Sequence, residues 1–506
     1  MYMLGKVKIV ISLMCCTLMM SPGFNVSAEE NNSYNYNYNN HGEAVPSKAG
    51  YRAVCLVSGN ELGCGEFSNP SDIFCDSWGN FYIADTGNDR IVEINNEFTS
   101  AVRELDKFTD EKGNKYELSS PQGIFVSDNG CMYIADTGNS RILCVDENGI
   151  VRLCITRPDS IVYENETFSP KKVIADKDGN IYSVLNNVTS GAAFFSSTGV
   201  FQGYYGANAV EPTAKVITNY FRKHFSTDKM RSGLARSTPA GITGFDIDSE
   251  GFVYTVTESG TSEYDRVKKV NAAGDNLFAD LDIIFGDLPF YQNSEHSSYF
   301  NVEFRTRLTD IDVDDSGRIC CLDTGTGRIF QYDKEGNLLF IMGGMSDRLG
   351  GFSLQSTAVE CSRGKIYVTD GMKNTVTIFE ETDFGKIVHK ATELYNDGRY
   401  EEALEPWREA LRHDGNYTNA YLGIASALIS KGDYKRAMEY AELGDSSYYY
   451  NKAFEGYREE WLDENFSVVI AAAIFIVLCL TYRRFRKKRK ANSRDMIEND
   501  YKKEKL

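Results

Sequence analysis

Two periods divide the chain. Up to residue 384 the apolar positions come in short β-branched and aromatic runs of period 2, separated by Gly, Asn, Asp and Thr, which predicts strands and tight turns. From residue 385 the apolar positions recur at helical spacing, which predicts paired amphipathic helices over 385–463. Two longer apolar runs stand apart. The first, from Ile9 to Met20 behind Lys6 and Lys8, has the order of a secretory signal, and Val26, Ser27 and Ala28 offer small residues at a cleavage point, so 1–28 is assigned to a signal peptide. The alternative, a lipoprotein signal at Leu13-Met14-Cys15, fits poorly because of Met14. The second run, residues 466–482, opens on Phe466 and ends on Tyr482; its 17 residues are at the short end of a bilayer crossing. Glu459, Glu460, Asp463 and Glu464 precede it, and Arg483, Arg484, Arg486, Lys487, Lys488, Arg489 and Lys490 follow it. That asymmetry predicts a transmembrane helix over 464–482 and a basic cytoplasmic tail over 483–506. The same cations have the charge to bind anionic lipid, although a topology signal is the simpler role. Residues 29–50, with Asn and Tyr alternating from Tyr34 to Asn40, form a polar leader that is expected to be disordered.

The strand region repeats. Tyr82-Ile-Ala-Asp-Thr-Gly-Asn-Asp-Arg-Ile91 returns as Tyr133-Ile-Ala-Asp-Thr-Gly-Asn-Ser-Arg-Ile142, and fainter copies begin near Asp178, Glu250, Ser316 and Arg363. A glycine follows each first strand at 79, 130, 179, 251, 317 and 364, with spacings of 51, 49, 72, 66 and 47 residues. Six units of about 50 residues, two carrying insertions, match one four-stranded propeller blade each. Gly and Asn at the turns accept positive φ at low cost, which is hairpin chemistry. These residues resemble the NHL repeat family, and the resemblance implies a six-bladed β-propeller over 51–384. The segment from Tyr51 to Val57 is expected to complete the last blade and so remove its open edge.

In the helical part, Ala403 and Ala437 are 34 residues apart, each after a Gly-x-Tyr, in a pattern that resembles tetratricopeptide repeats. Pro406 departs from that pattern and is expected to kink its helix. Two units are fewer than usually stand alone, so the helix from Ala453 to Leu462 is expected to cap the pair and run towards the membrane.

Charge and cysteines follow from this layout. The whole chain carries −18; the signal holds two lysines and the tail 11 Lys+Arg against 4 Asp+Glu, which leaves −27 on the segment between. Such a surface disfavours nucleic acid and anionic polymers. Nine cysteines lie in the ectodomain, and Cys75, Cys131, Cys144, Cys320, Cys321 and Cys361 fall in or beside strands, where a thiol packs as a small hydrophobe. Cys55 and Cys64 are close enough in sequence to pair, but no disulfide framework is implied.

Candidate chemistry is sparse. The histidines are His41, His224, His296, His389 and His413, and none sits at a repeated strand position. No catalytic residue, metal site or cofactor is assigned. Asp85, Asp136, Asp323 and Asp370 recur at one turn position, where a carboxylate accepts backbone N–H groups more readily than it holds a metal. Arg90, Arg141 and Arg328 recur at the turn exit and are expected to pair with nearby carboxylates or carbonyls. The insertions carry more. Residues 206–240 hold Tyr220, Phe221, Arg222 and Lys223 in a basic, aromatic cluster, and 286–305 hold Phe290, Tyr291, Tyr299 and Arg305. Either these residues contact a glycan or protein partner, or Val216, Tyr220 and Phe221 open an amphipathic helix packed on the rim.

The combination of signal, NHL propeller, tetratricopeptide pair, one span and basic tail resembles a family of single-pass surface proteins of Gram-positive bacteria. That resemblance implies an association with carbohydrate ABC importers. The expectation is a non-enzymatic, membrane-anchored binding or scaffold protein facing outward, with a protein partner or glycan. One alternative is a propeller lactonase or lyase with a divalent metal. Another is a surface sensor signalling through its tail.

Overall fold

The computed structural model describes residues 35–503 apart from 161–162, 164–166, 207–239, 259–265, 280, 282 and 289–305, with side chains described as far as residue 490. The signal region and all eight candidate contact residues (Tyr220, Phe221, Arg222, Lys223, Phe290, Tyr291, Tyr299 and Arg305) therefore lie outside the described residues.

Each repeat folds as an antiparallel meander. The six recurring glycines all take positive φ, between 73° and 89°. In the first five, the glycine N–H turns back to the carbonyl three residues earlier, as Gly79 does to Asp76 at 2.8 Å and Gly317 to Asp314 at 2.8 Å. In the sixth, Arg363 and Gly364 both hold positive φ and join Ser362 to Lys365 directly. Five sheets have four strands and the sheet over 244–270 has three among the described residues. Together they make a six-bladed β-propeller. The closing strand Tyr51–Ser58 pairs antiparallel with Thr375–Glu381, running from Tyr51 opposite Glu381 to Ser58 opposite Thr375. N- and C-terminal strands thus share the last blade, as the repeat count requires.

Neighbouring blades cover both faces of each sheet. This explains runs such as Ile83-Ala84 and Ile91-Val92, all fully buried, where a one-faced sheet would alternate. Aromatic side chains fill the wedges between blades, as in the contacts of Phe81 with Phe98 and Tyr367.

Five helices follow: α1 Asp383–Asn396, α2 Tyr400–His413, α3 Thr418–Ser430, α4 Tyr434–Leu443 and α5 Ser447–Lys503. Thr382 caps α1 by accepting the Gly385 N–H, and its own N–H reaches the Gly50 carbonyl at 2.9 Å, just before the closing strand. Ala403 and Ala437 are fully buried. Helix α2 continues through Pro406, the position where a kink was expected. Gly423 lets α3 lie against Trp407, since a Cβ there would come within 2.4 Å of the indole nitrogen.

The helices share a core with the propeller. Phe384, Val388, Trp407 and Tyr417 pack in one cluster with Tyr51, Phe340 and Val359. A buried polar chain crosses the junction. His389 Nδ1 meets Glu381, its Nε2 lies 2.8 Å from Gln331 Oε1, and Gln331 Nε2 donates to the Tyr51 hydroxyl at 3.1 Å. Burial holds His389 below the usual imidazole value, against the pull of Glu381.

Residues 35–50 of the leader depart from their expected disorder. Tyr36–Tyr38 and Ala44–Pro46 form a small hairpin. Tyr36 is buried against Phe285 and Tyr332, and both Tyr36 and Tyr38 donate to Asp287. On the other side Ser47 and the Lys48 N–H reach Asp414 of the helical part, at 2.9 and 2.8 Å. Its composition cannot build a core alone, but here it borrows one from two neighbours.

Candidate functional site

The innermost strand of every blade lines the central bore: Pro70–Cys75, Gly123–Val126, Pro170–Ala175, Gly244–Ile247, Leu308–Val313 and Ser356–Ser362. Aligned by their pairing with the second strand of each blade, they present two levels. The deeper level reads Asp72, Gly123, Lys172, Gly244, Asp310 and Ala358 around the ring. The next reads Phe74, Phe125, Ile174, Asp246, Asp312 and Glu360.

At the deeper level, charge alternates with small residues. Lys172 Nζ lies 2.7 Å from Asp72 Oδ1 and 2.6 Å from Asp310 Oδ1, so one ammonium ties blades 1, 3 and 5 across the axis. All three side chains are buried. The glycines between them give the space: a Cβ on Gly244 would sit 2.9 Å from Asp310 Oδ1, and one on Gly123 2.8 Å from the Lys172 Cα. Burial alone would pull Lys172 down, but Asp310 and Asp72 outweigh it and hold the ammonium above its usual value. Burial pushes Asp72 up, against the opposing pull of Lys172.

The second level is two-faced. Phe74 and Phe125 pack at 4.9 Å between centroids on the side of blades 1 and 2. Asp246, Asp312 and Glu360 come from blades 4, 5 and 6. Each acid reaches forward to the next blade: Asp246 Oδ2 accepts the Val313 N–H at 2.8 Å, Asp312 Oδ2 accepts the Cys361 N–H at 2.9 Å, and Glu360 accepts the Cys75 N–H. Asp72 and Asp310 do the same one level down, to Ile124 and Val359, both at 3.0 Å. The acids therefore staple consecutive blades.

Crowding three carboxyl groups into this bore changes their ionisation. Burial pushes Asp246 up to about 7 despite the Val313 N–H. Burial and then Asp246 raise Asp312, and burial and then Asp312 raise Glu360. The folded protein thus retains protons here that the unfolded chain releases from about pH 4 upward. This contribution to stability is complete below pH 4 and is lost as pH rises through about 7. Asp246→Asn keeps an oxygen for Val313 and removes the charge. It is expected to leave the thermal midpoint unchanged at pH 4 and to raise it by a few degrees at pH 8, an effect on the order of 1–2 kcal/mol. Differential scanning fluorimetry of both proteins across that range checks it.

The repeated turn acids have a different task. Asp85, Asp136, Asp323 and Asp370 are fully buried. Asp85 accepts the Ser68 N–H at 2.7 Å and Arg90 Nε at 2.8 Å; Asp136 accepts Ser119 and Arg141 at 2.8 and 2.6 Å. Asp323 takes the Arg307 and Gly325 N–H groups, and Asp370 those of Ser353, Met372 and Lys373. They pin each blade to the loop before it. Arg90 and Arg141 pair with the acid of their own turn, while Arg328 reaches Asp287 beneath the leader hairpin. Among the described residues no group of three or more His, Cys, Asp or Glu side chains is arranged to hold a metal ion. Cys55 and Cys64 are both free thiols.

Comparison with known proteins adds little to the chemistry. No protein-family model matches the chain, and no curated protein matches it. Solved structures do. A catalytically inactive virginiamycin B lyase from Staphylococcus aureus with quinupristin is 12% identical over 66% of this chain and 98% of its own, with a TM-score of 0.38. A gluconolactonase from Xanthomonas campestris is 12% identical over 67% and 99%, with a TM-score of 0.37. An extracellular domain from B. thetaiotaomicron is 11% identical over 65% and 42%, with a TM-score of 0.36. At such values the likeness carries no argument about substrate or reaction.

Proposed function

We propose that this chain is a membrane-anchored binding or scaffold protein whose propeller faces the outside of the cell. On this reading the propeller is of the NHL type and the helices are a tetratricopeptide pair. The observation that carries it is the continuity of α5. Ala453 on this helix is fully buried in the core shared by the helical part and the propeller. The same helix runs on through a stretch long and apolar enough to cross a membrane, none of whose residues is buried by the rest of the chain. The 17 residues from 466 to 482 measure about 25 Å at 1.5 Å per residue, slightly less than a hydrocarbon core of about 30 Å. Trp461 before them and Tyr482 with the arginines after them suit the two interfaces and extend the reach. A rigid propeller would thus stand at a fixed height above the bilayer.

The aromatic and basic residues of the two insertions supply the proposed contact surface, towards a protein partner or a glycan and, by the family resemblance, a carbohydrate ABC importer. The test is affinity capture of the tagged full-length chain from detergent-solubilised membranes, beside protease treatment of intact cells. A stoichiometric membrane partner, lost when Tyr220, Phe221, Phe290 and Tyr291 are changed to Ala, is the expected result, with a tag placed before the propeller removed by the added protease and a tag on the tail retained. Capture of no partner together with no glycan binding overturns it. An unbroken helix from the ectodomain into the tail also suits a sensor. Insertion of two glycines at residue 463 would uncouple a signal while leaving capture of the partner intact.

A further inference from the structure

Blade 2 lacks a clamp that its neighbours have. In blades 1, 3 and 4 an aspartate opens the first hairpin turn and accepts the N–H four residues on: Asp76 from Asn80 at 2.8 Å, Asp176 from Asn180 at 2.8 Å and Asp248 from Phe252 at 2.9 Å. Its second oxygen receives the hydroxyl of the tyrosine six residues on, Tyr82, Tyr182 and Tyr254 in turn, at 3.1, 3.2 and 3.1 Å. The turn is thereby tied to the strand it leads into. Blade 2 has the tyrosine, Tyr133, but Ser127 where the aspartate should be. The position matching Asn80 and Asn180 is Cys131, and Tyr133 lies opposite Cys144 on the next strand. The two thiols touch, Sγ to Sγ at 3.0 Å, and Tyr133 makes its side-chain hydrogen bonds to them.

We propose that Cys131 and Cys144 form an intramolecular disulfide that replaces the missing aspartate clamp of blade 2. The thiols are already closer than two unbonded sulfurs rest. Cys131 stands immediately before the strand Met132–Asp136 and Cys144 lies on its antiparallel neighbour Arg141–Val145, so a small side-chain rotation closes the bond. Their surroundings set the order of events. The hydrogen bond from Cys144 holds the Cys131 thiol below its usual value, and the same contact pushes Cys144 up. Cys131 is the half-buried member and Cys144 the buried one. Cys131, as the thiolate, attacks one sulfur of a small or protein disulfide oxidant. That S–S bond breaks, and the departing sulfur takes the electron pair and a proton. Cys144 then gives up its proton and attacks Cys131 Sγ, expelling the second oxidant sulfur as a thiol. Two protein thiols are oxidised by two electrons, and one oxidant disulfide is reduced to two thiols.

The experiment uses the purified full-length chain in detergent, equilibrated with glutathione buffers from reduced to oxidised and quenched with N-ethylmaleimide. Trypsin cuts after Arg141, between the two cysteines, so the pair reads out as peptides 116–141 and 142–152 joined until reduction. Joined peptides in the oxidised buffer are expected. Cys144→Ser is expected to trap Cys131 as a mixed disulfide with glutathione. Two alkylated thiols, or two separate glutathione adducts, in the oxidised wild type overturn the pairing. The clamp is tested separately. Reductant is expected to lower the thermal midpoint of the wild type but not of Ser127→Asp/Cys131→Asn, which restores the acid and the amide found in blade 1. An equal midpoint with and without reductant in the wild type overturns that part.

Discussion

Lys172→Met is expected to destabilise the propeller by about 3–5 kcal/mol, the usual cost of removing one partner from a buried ion pair. The methionine fills similar space, so the loss is electrostatic. Asp72 and Asp310 would each keep one backbone N–H, from Ile124 and Val359, but no counter-charge. Two carboxylates facing each other across a buried axis cannot both remain ionised at neutral pH, and the folded state must then take up protons. Acidification should therefore restore part of the loss, because the folded pKa values of the two acids now lie above the unfolded ones. The companion variant Asp72→Asn/Lys172→Met/Asp310→Asn removes the charge altogether and is expected to regain most of the wild-type midpoint. Chemical unfolding of the three proteins at pH 5 and pH 8 measures both effects. A single variant as stable as the wild type at pH 8 would show that the ammonium does not bridge the bore.

The ring was legible in the sequence because its signals are local. A glycine with positive φ returns at each first hairpin, and the second and third strands return as Tyr-Ile-Ala-Asp and Arg-Ile, so period and blade count follow from one strand of reasoning. The turn aspartates were legible for the same cause: their partners lie within one repeat or the loop before it. The bore was not. Its deeper level is Asp, Gly, Lys, Gly, Asp, Ala in successive blades, which is no repeat at all, and the bond from Lys172 to Asp310 joins residues remote in sequence. A weak clue existed. Asp72, Lys172 and Asp310 each stand seven residues before a hairpin glycine, and Asp246 and Asp312 five before, as charges within the first strands. A charge there must face the axis, since both sheet faces are covered.

The leader was misread for a related reason, and the approach of two thiols was hidden in the same way. Tyr36 has no apolar neighbours in sequence and buries itself in a core supplied by residues some 250 positions away. Cys131 and Cys144 fit the role of small hydrophobes individually, and only the strand register puts their sulfurs together. In each case the controlling contact lies across the ring or between strands, where composition and spacing carry no signal.

Removal of residues 51–58 is expected to unfold the propeller outright in the full-length protein. The strand Tyr51–Ser58 is the fourth of the last blade, and without it Thr375–Glu381 becomes an open edge. The ladder bonds it makes, at about 1 kcal/mol net each, and the burial of Tyr51, worth about 2 kcal/mol, together approach the 5–15 kcal/mol that keeps an ordinary domain folded. The loss also spreads beyond one sheet. Tyr51 accepts from Gln331 of blade 5, which holds His389 of α1, so the helical part loses its buried polar anchor at the same moment. Limited proteolysis in detergent is expected to cut the deletion protein throughout 70–381, where the wild type is resistant. Leu56→Ala serves as the control: this side chain is exposed on the outer strand, and its truncation should leave the digestion pattern unchanged. A deletion protein as resistant as the wild type would mean that the ring closes without its N-terminal strand, and that blade 6 is held by the inner acids alone.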